Sequence, residues 1–180
     1  LARRIPILDR RIRSGYNVTK LDGWDGLTMR GRTIGIIGGG NIGLAVGAMF
    51  QRGFDCDIIL YDPYISPTLK EAWISTISPG KLVWASDLDR DLYPHSDVVT
   101  IHVPLLPTTK GLITASQFRL MKSTAILINT SRGGVVNEDD LFQALNDGAI
   151  HGAGIDAFAV EPPTSHAYPG LSQCDRVVMT

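Results

Sequence analysis

Three glycines, Gly38, Gly40 and Gly43, stand at the G-x-G-x-x-G spacing, and an acid, Asp62, follows about 20 residues further on. Those residue types at that spacing suit a dinucleotide. Gly38 permits a tight turn off a strand. Gly40 has no side chain to keep a pyrophosphate from the backbone, and Gly43 lets the next helix pack close. Free N–H groups at the start of that helix, with the positive end of its dipole, attract the phosphates. The Asp62 carboxylate is suited to accept hydrogen bonds from the adenosine ribose hydroxyls. Its charge repels a 2′-phosphate, so NAD is expected over NADP.

Taken alone, the glycine spacing is a weak signal; the elements around it make it specific. Residues 33–37 read as a short, fully buried strand running straight into the glycines. An apolar helical pattern follows through Leu44, Val46, Met49 and Phe50, with Gly53 as its expected breaker. Residues 58–61 read as a second buried strand, with Asp62 at its end.

The rest of the chain repeats this alternation. A helix is expected over 69–77, a turn at Pro79-Gly80, a strand over 82–84, and a short helix capped by Asp87 that ends near Tyr93. Residues 98–103 read as a strand ending in a proline-rich loop at 104–109. Thr114 and Gln117 form a capping box for a helix to Met121. A strand over 125–128 ends in the polar turn 129–134. Asn137 opens a helix through Leu141, Phe142 and Leu145 that Gly148 stops. Strands over 153–155, delivering Asp156, and 177–179 complete the series.

Alternating strand and helix predicts an α/β fold, a doubly wound parallel sheet with helices on both faces. Ligands of such sheets sit outside the carboxyl ends of the strands. The polar residues there are Asp62, His102, residues 129–132 and Asp156. His102 reads as a satisfied core histidine inside its strand, and His95, His151 and His166 as structural or surface residues. At the start, Arg3, Arg4, Arg10, Arg11 and Arg13 surround Leu1, Ile5, Leu8 and Ile12 at helical spacing, which reads as a surface amphipathic helix with Pro6 in its first turn. A glycine-rich loop over 15–32 carries Trp24, read as core or as a subunit contact.

The 180 residues suit one domain, a lead-in of helix and loop over 1–31 included. A net charge of −1 without a basic stripe gives no nucleic-acid footprint, and no apolar run is long enough to span a bilayer. Two cysteines, Cys56 and Cys174, make neither a disulfide framework nor a metal cluster, and a reducing, cytoplasmic setting is expected.

Three motifs in order carry a family resemblance. One is 35–43 with Asp62. The second is Ser96-Asp97-Val98-Val99 through Pro104, continued by Pro107-Thr108-Thr109-Lys110-Gly111-Leu112-Ile113. The third runs from Met121 through Ala144, contains Ile128-Asn129-Thr130-Ser131-Arg132-Gly133-Gly134-Val135-Val136, and is followed by Gly154-Ile155-Asp156-Ala157-Phe158 and Glu161-Pro162. From about Gly15 onward the chain resembles the Rossmann-type NAD-binding domain of the D-isomer-specific 2-hydroxyacid dehydrogenases, with D-3-phosphoglycerate dehydrogenase and hydroxypyruvate reductase as the most similar kinds.

The resemblance implies roles. Asn41 and Ile42 match positions whose backbone meets the pyrophosphate. Val103 and Pro104 match the strand end lining the cofactor cleft. Thr130, Ser131 and Arg132 match the turn at the nicotinamide end of the cofactor, and Asp156 the acid that hydrogen-bonds the carboxamide. Arg132 also matches the catalytic arginine and Glu161 the acid that pairs with the catalytic histidine. The chemistry suits these types. A guanidinium can hold a 2-oxo acid carboxylate as a fork and polarise the adjacent carbonyl. A histidine exchanges a proton with the substrate oxygen, and a nearby glutamate favours its charged form.

The family's catalytic histidine follows a terminal strand in a Thr-Pro-His run, and none of His95, His102, His151 or His166 matches it. The flanking substrate-domain segments are likewise unmatched. The chain therefore reads as the cofactor half of a longer two-domain enzyme, expected to hold NAD without turning over a 2-hydroxy or 2-oxo acid by itself, and the resemblance implies a homodimer. A second reading, from another class, is an NAD-sensing module of the same fold that dimerises and recruits peptides, as corepressor-like relatives do.

Overall fold

A computed structural model describes residues 1–17, 19 and 26–180; Trp24 lies outside the described residues. Seven strands, β1 (Thr33–Ile37), β2 (Asp57–Tyr61), β3 (Leu82–Trp84), β4 (Val98–Ile101), β5 (Ile126–Asn129), β6 (Gly152–Ile155) and β7 (Val177–Met179), form one sheet. Its order is β3-β2-β1-β4-β5-β6-β7, and every pairing is parallel. Among the described residues six helices accompany it: α1 (Ile5–Arg13), α2 (Asn41–Phe54), α3 (Pro67–Thr76), α4 (Ala115–Phe118), α5 (Glu138–Asn146) and α6 (Pro169–Gln173), with a π-type turn at Leu88–Leu92.

Two apolar layers follow from the period of two along each strand. Ile34, Ile36, Ile58, Leu60, Val98 and Ile126 join one cluster with Trp73 of α3 and with Leu44 and Phe50 of α2. Their neighbours Ile59, Val99, Ile101 and Leu127 point the other way, into a cluster with Phe118 of α4 and Leu141 and Leu145 of α5. Both faces are covered, which is why the strands read as continuous apolar runs.

Several boundaries differ from the sequence reading. α2 runs through Gly53 to Phe54, and Asp55 ends it in the left-handed region at φ 54°. Aspartate tolerates that conformation better than most side chains, so the helix needs no glycine there. β4 ends at Ile101, short of Pro104, which has no backbone N–H to give a ladder. α4 is a single turn; beyond it Leu120 and Met121 bond back to Gln117 and Phe118, three residues away, in a tighter winding. α6 was not signalled by any periodic pattern, being one turn led by Pro169. In α1 the buried side chain is Ile7, whereas Ile5 and Ile12 are 68% and 61% exposed. Arg10 ties α1 to Asp175 beside β7 at 3.1 Å.

Candidate functional site

The sheet order reverses between β1 and β4, whose chains leave to opposite sides. The strand ends there are level, Ile37 being opposite both Tyr61 and Ile101. Beyond Ile37 the chain must turn at once, and Gly38 does so at φ 101° with its N–H bonded to Tyr61 O at 2.9 Å. A cleft of about 520 Å³ opens at this point. Gly38, Gly40, Asp62, Val103 and Pro104 line it, together with Tyr61, Tyr64, His102, Thr108 and Thr109. This is the crevice where a doubly wound sheet takes its ligand.

The glycine loop is held from two sides. Gly39 N–H donates to Asp62 Oδ2 at 2.8 Å, and Trp73 Nε1–H donates to Gly39 O at 2.8 Å. Tyr64 N–H donates to the other Asp62 oxygen at 2.9 Å. Each carboxylate oxygen carries two lone pairs, so acceptor capacity remains for ribose hydroxyls. A Cβ on Gly43 would stand 2.2 Å from Gly38 O, so the helix can approach the loop only with glycine there. Asn41 and Ile42 open α2 behind Gly40, which caps it without a side chain, and a Cβ on Gly40 would meet nothing within 4 Å. The first-turn N–H groups of a 14-residue helix thus face open space, an arrangement that fits a pyrophosphate.

Thr130, Ser131, Arg132 and Asp156 sit on the same rim, just past the ends of β5 and β6, with Glu161 on the loop that follows β6, and none of them lines that cleft. β4, β5 and β6 are level, with Ile101 opposite Asn129 and Asn129 opposite Ile155. Four strand spacings separate β2 from β6, roughly 19 Å at about 4.8 Å each. Asn129, only 1% exposed, shapes the turn after β5. Its Oδ1 accepts from Ser131 N–H at 3.1 Å and Ser131 Oγ–H at 2.8 Å, and its Nδ2 donates to Arg132 O at 3.1 Å. Thr130 and Arg132 are exposed on this turn, and Arg132 Nη1 donates to Ser131 O at 2.7 Å. Asp156 begins beyond β6, its N–H on Asn129 O at 3.0 Å and its Oδ1 accepting from Thr180 Oγ–H at 2.9 Å. Glu161 is exposed and folds back, accepting Phe158 N–H at 2.8 Å.

His102 lines the cleft at the ligand-side strand end where the sequence places it, but it stands one residue past β4 and half-buried rather than inside the strand and the core. Burial pushes its pKa down, and its Nε2 lies 3.0 Å from Thr100 Oγ1, so the cleft wall holds a neutral imidazole near pH 7. Thr109, present in the second motif without an assigned role, donates its Oγ–H to Pro104 O at 2.6 Å while accepting Leu106 N–H at 2.8 Å, and so fixes the proline-rich loop. A threonine three residues after a loop's first free N–H was the available signal.

A parallel sheet whose order reverses at a glycine loop, with an acid at the end of β2 and an uncapped helix start, defines a dinucleotide-binding domain. Residues 1–180 match the family described as D-isomer specific 2-hydroxyacid dehydrogenase, NAD binding domain, and the chain belongs to that family. Among similar proteins, the D-3-phosphoglycerate dehydrogenase of Methanocaldococcus jannaschii is 37% identical over 99% of this chain and 32% of its own length. The glyoxylate reductase of Thermofilum pendens is 38% identical over 99% of this chain and 50% of its own. Among solved structures, the D-isomer specific 2-hydroxyacid dehydrogenase of Lactobacillus delbrueckii ssp. bulgaricus in its NAD-complexed form superposes with a TM-score of 0.82 at 29% identity, covering 99% of this chain and 54% of that one. The chain thus spans from 32% to 54% of the length of these relatives. Among the described residues, no helix is long and apolar enough to cross a membrane.

Proposed function

We propose that this chain is the cofactor-holding part of an NAD-dependent D-2-hydroxyacid dehydrogenase acting on a small 2-hydroxy or 2-oxo acid. One observation carries the reading: the Asp62-clamped glycine loop and the strand ends followed by Arg132 and Asp156 share one rim of the sheet, and the loop bearing Glu161 packs through Phe158 on Gly133 of the Arg132 turn. Gly38, Gly40, Gly43 and the N–H groups of Asn41 and Ile42 hold the pyrophosphate. Asp62 takes the adenosine ribose. Val103 and Pro104 wall the cleft, and Thr130, Ser131 and Asp156 orient the nicotinamide end. NAD held by these residues would supply the hydride chemistry at the substrate carbon. Arg132 grips the substrate carboxylate and polarises its carbonyl, and Glu161 favours the charged form of a proton-transferring histidine.

Calorimetric titration of the chain with NAD and NADP tests the cofactor half of this reading. Saturable binding with NAD preferred supports it, and equal or tighter binding of NADP contradicts the role of Asp62. Assay of the whole protein on a panel of 2-oxo acids with NADH tests the rest. The same reading includes a homodimer through this domain. Its support is the outer face of α2, where Ile42 and Met49 are 69% and 63% exposed with Ala45 between them. Cys56 and Cys174 are free thiols, which suits a cytoplasmic protein. No observation favours the peptide-recruiting module.

A further inference from the structure

Three successive backbone N–H groups after β6 are each taken by a side-chain oxygen. Phe158 N–H donates to Glu161 Oε1 at 2.8 Å, Ala159 N–H to Glu138 Oε1 at 2.8 Å, and Val160 N–H to Tyr168 Oη at 2.7 Å. The first acceptor belongs to the segment itself. The other two reach in from outside, Glu138 from the first position of α5 and Tyr168 from the residue before α6. The Phe158 and Tyr168 rings meet with centroids 5.1 Å apart, and both are buried. Gly133, next to Arg132, lies against the same segment: a Cβ there would fall 1.8 Å from Phe158 O. The turn bearing Arg132 and the segment bearing Glu161 are therefore packed backbone to backbone, and Glu138 and Tyr168 hold the segment by its N–H groups.

A carboxylate at the first position of a helix is usually a solvated favourable charge. Glu138 is instead half-buried and shares its surroundings with a second carboxylate. Burial raises its pKa, the Ala159 N–H and the Tyr168 hydroxyl lower it, and the charges of Asp139 and Glu161 raise it further. An acid kept in that setting, with its oxygen on one loop amide, is placed for that contact and not for solubility.

We propose that Glu138 is a positioning residue for Glu161, holding the 158–160 backbone through Ala159 N–H and so fixing where the Glu161 carboxylate stands relative to the Arg132 turn. The inference rests on the reading above that Glu161 and Arg132 serve the reaction. Glu138 does not line the cleft; it acts through the loop.

Two variants of the whole protein test it. Glu138→Ala removes the acceptor, and Glu138→Gln keeps an oxygen at the same reach. In Glu138→Ala, kcat for 2-oxo acid reduction is expected to fall about tenfold or more, with NADH affinity held within about twofold because the cleft is untouched. Glu138→Gln is expected to restore kcat to within about threefold, since the neutral oxygen still accepts the bond. In the 180-residue chain, Ala159 amide exchange is expected to quicken about tenfold in the alanine variant only. Should Glu138→Ala not fold, Tyr168→Phe frees Val160 N–H and should lower kcat with the same unchanged NADH affinity. An unchanged kcat, a parallel loss of kcat and NADH affinity, or no rescue by glutamine overturns the proposal. If the unmutated whole protein reduces no 2-oxo acid, the dehydrogenase reading fails by itself. Ala159 exchange then decides separately, an unchanged rate refuting the hold of Glu138 on the loop and a quickened one upholding it.

Discussion

Asp62 Oδ2 and Gly39 N lie 2.8 Å apart, so the acid proposed to take the ribose also holds the loop proposed to take the pyrophosphate. One substitution should therefore damage two functions. Hydrogen bonds to a charged acceptor contribute about 1.5–3 kcal/mol, and 1.4 kcal/mol is about tenfold in affinity. Asp62→Ala is expected to weaken NADH binding by about tenfold or more and to erase the preference over NADPH. Fluorescence titration with both nucleotides checks it; unchanged discrimination would remove Asp62 from the site.

Trp73 holds the same peptide from its other side, through Nε1–H to Gly39 O at 2.8 Å, and is completely buried. Trp73→Phe keeps most of the ring but strands a buried carbonyl. The expected loss is about 1–3 kcal/mol of stability, read from the urea midpoint, accompanied by weaker NADH binding. A variant that loses stability with no loss of affinity would show that the tryptophan serves only the core.

Asp97 is placed to make stability fall in acid. Its carboxylate accepts Thr33 N–H at 2.9 Å and pairs with Lys122 at 3.0 Å and Arg32 at 3.6 Å. Burial pushes its pKa up, but Thr33, Lys122 and Arg32 outweigh burial and leave it below the ordinary value. A depressed folded pKa means stability that is present above the unfolded value, about 3.9, and is lost as pH falls through the folded one. Asp97→Asn should flatten that acid limb in urea titrations between about pH 4 and pH 2. It should also lower stability at pH 7.

Tyr93 presents the opposite case. Its side chain is fully buried and its hydroxyl has no hydrogen-bond partner among the described residues. Burial, with Asp89 and Tyr61 nearby, pushes its pKa well above the usual phenol value. Tyr93→Phe removes a stranded polar group without opening a cavity, and should stabilise the chain by about 1 kcal/mol. Thermal unfolding showing a lower midpoint would reveal a partner for that hydroxyl.

Met49, on the exposed apolar face of α2, reports on assembly. Met49→Asp places a charge where the proposed dimer would bury an apolar side chain. Light scattering should show a dimer become a monomer with NADH binding retained. A monomer before substitution would refute the proposed contact.

Much of this was legible in the residues. The βαβ unit from Thr33 to Asp62 gave itself away because its strands are buried on both faces and its glycines and acid each answer a steric or electrostatic demand. Element ends were less visible. Asp55 rather than Gly53 stops α2, because the left-handed residue that ends a helix depends on how the next strand is entered. Glu138 and Tyr168 left no local sign, since their contacts join Glu138 to Ala159 and Tyr168 to Val160 through tertiary packing. His102 looked like a core residue because the apolar run continues past it, whereas the ladder ends at Ile101.

The uniformly parallel sheet sets how this chain reaches its native state. No neighbouring pair of strands is joined by a hairpin; even β1 must find β4, matching Ile34 with Val98 across the intervening β2 and β3. Loop entropy is therefore lost before these distant pairings form, and such topologies fold in milliseconds to seconds. During that interval Ile34, Ile58 and Leu60 are unshielded, so recovery from denaturant should worsen with protein concentration even though the finished molecule hides all three.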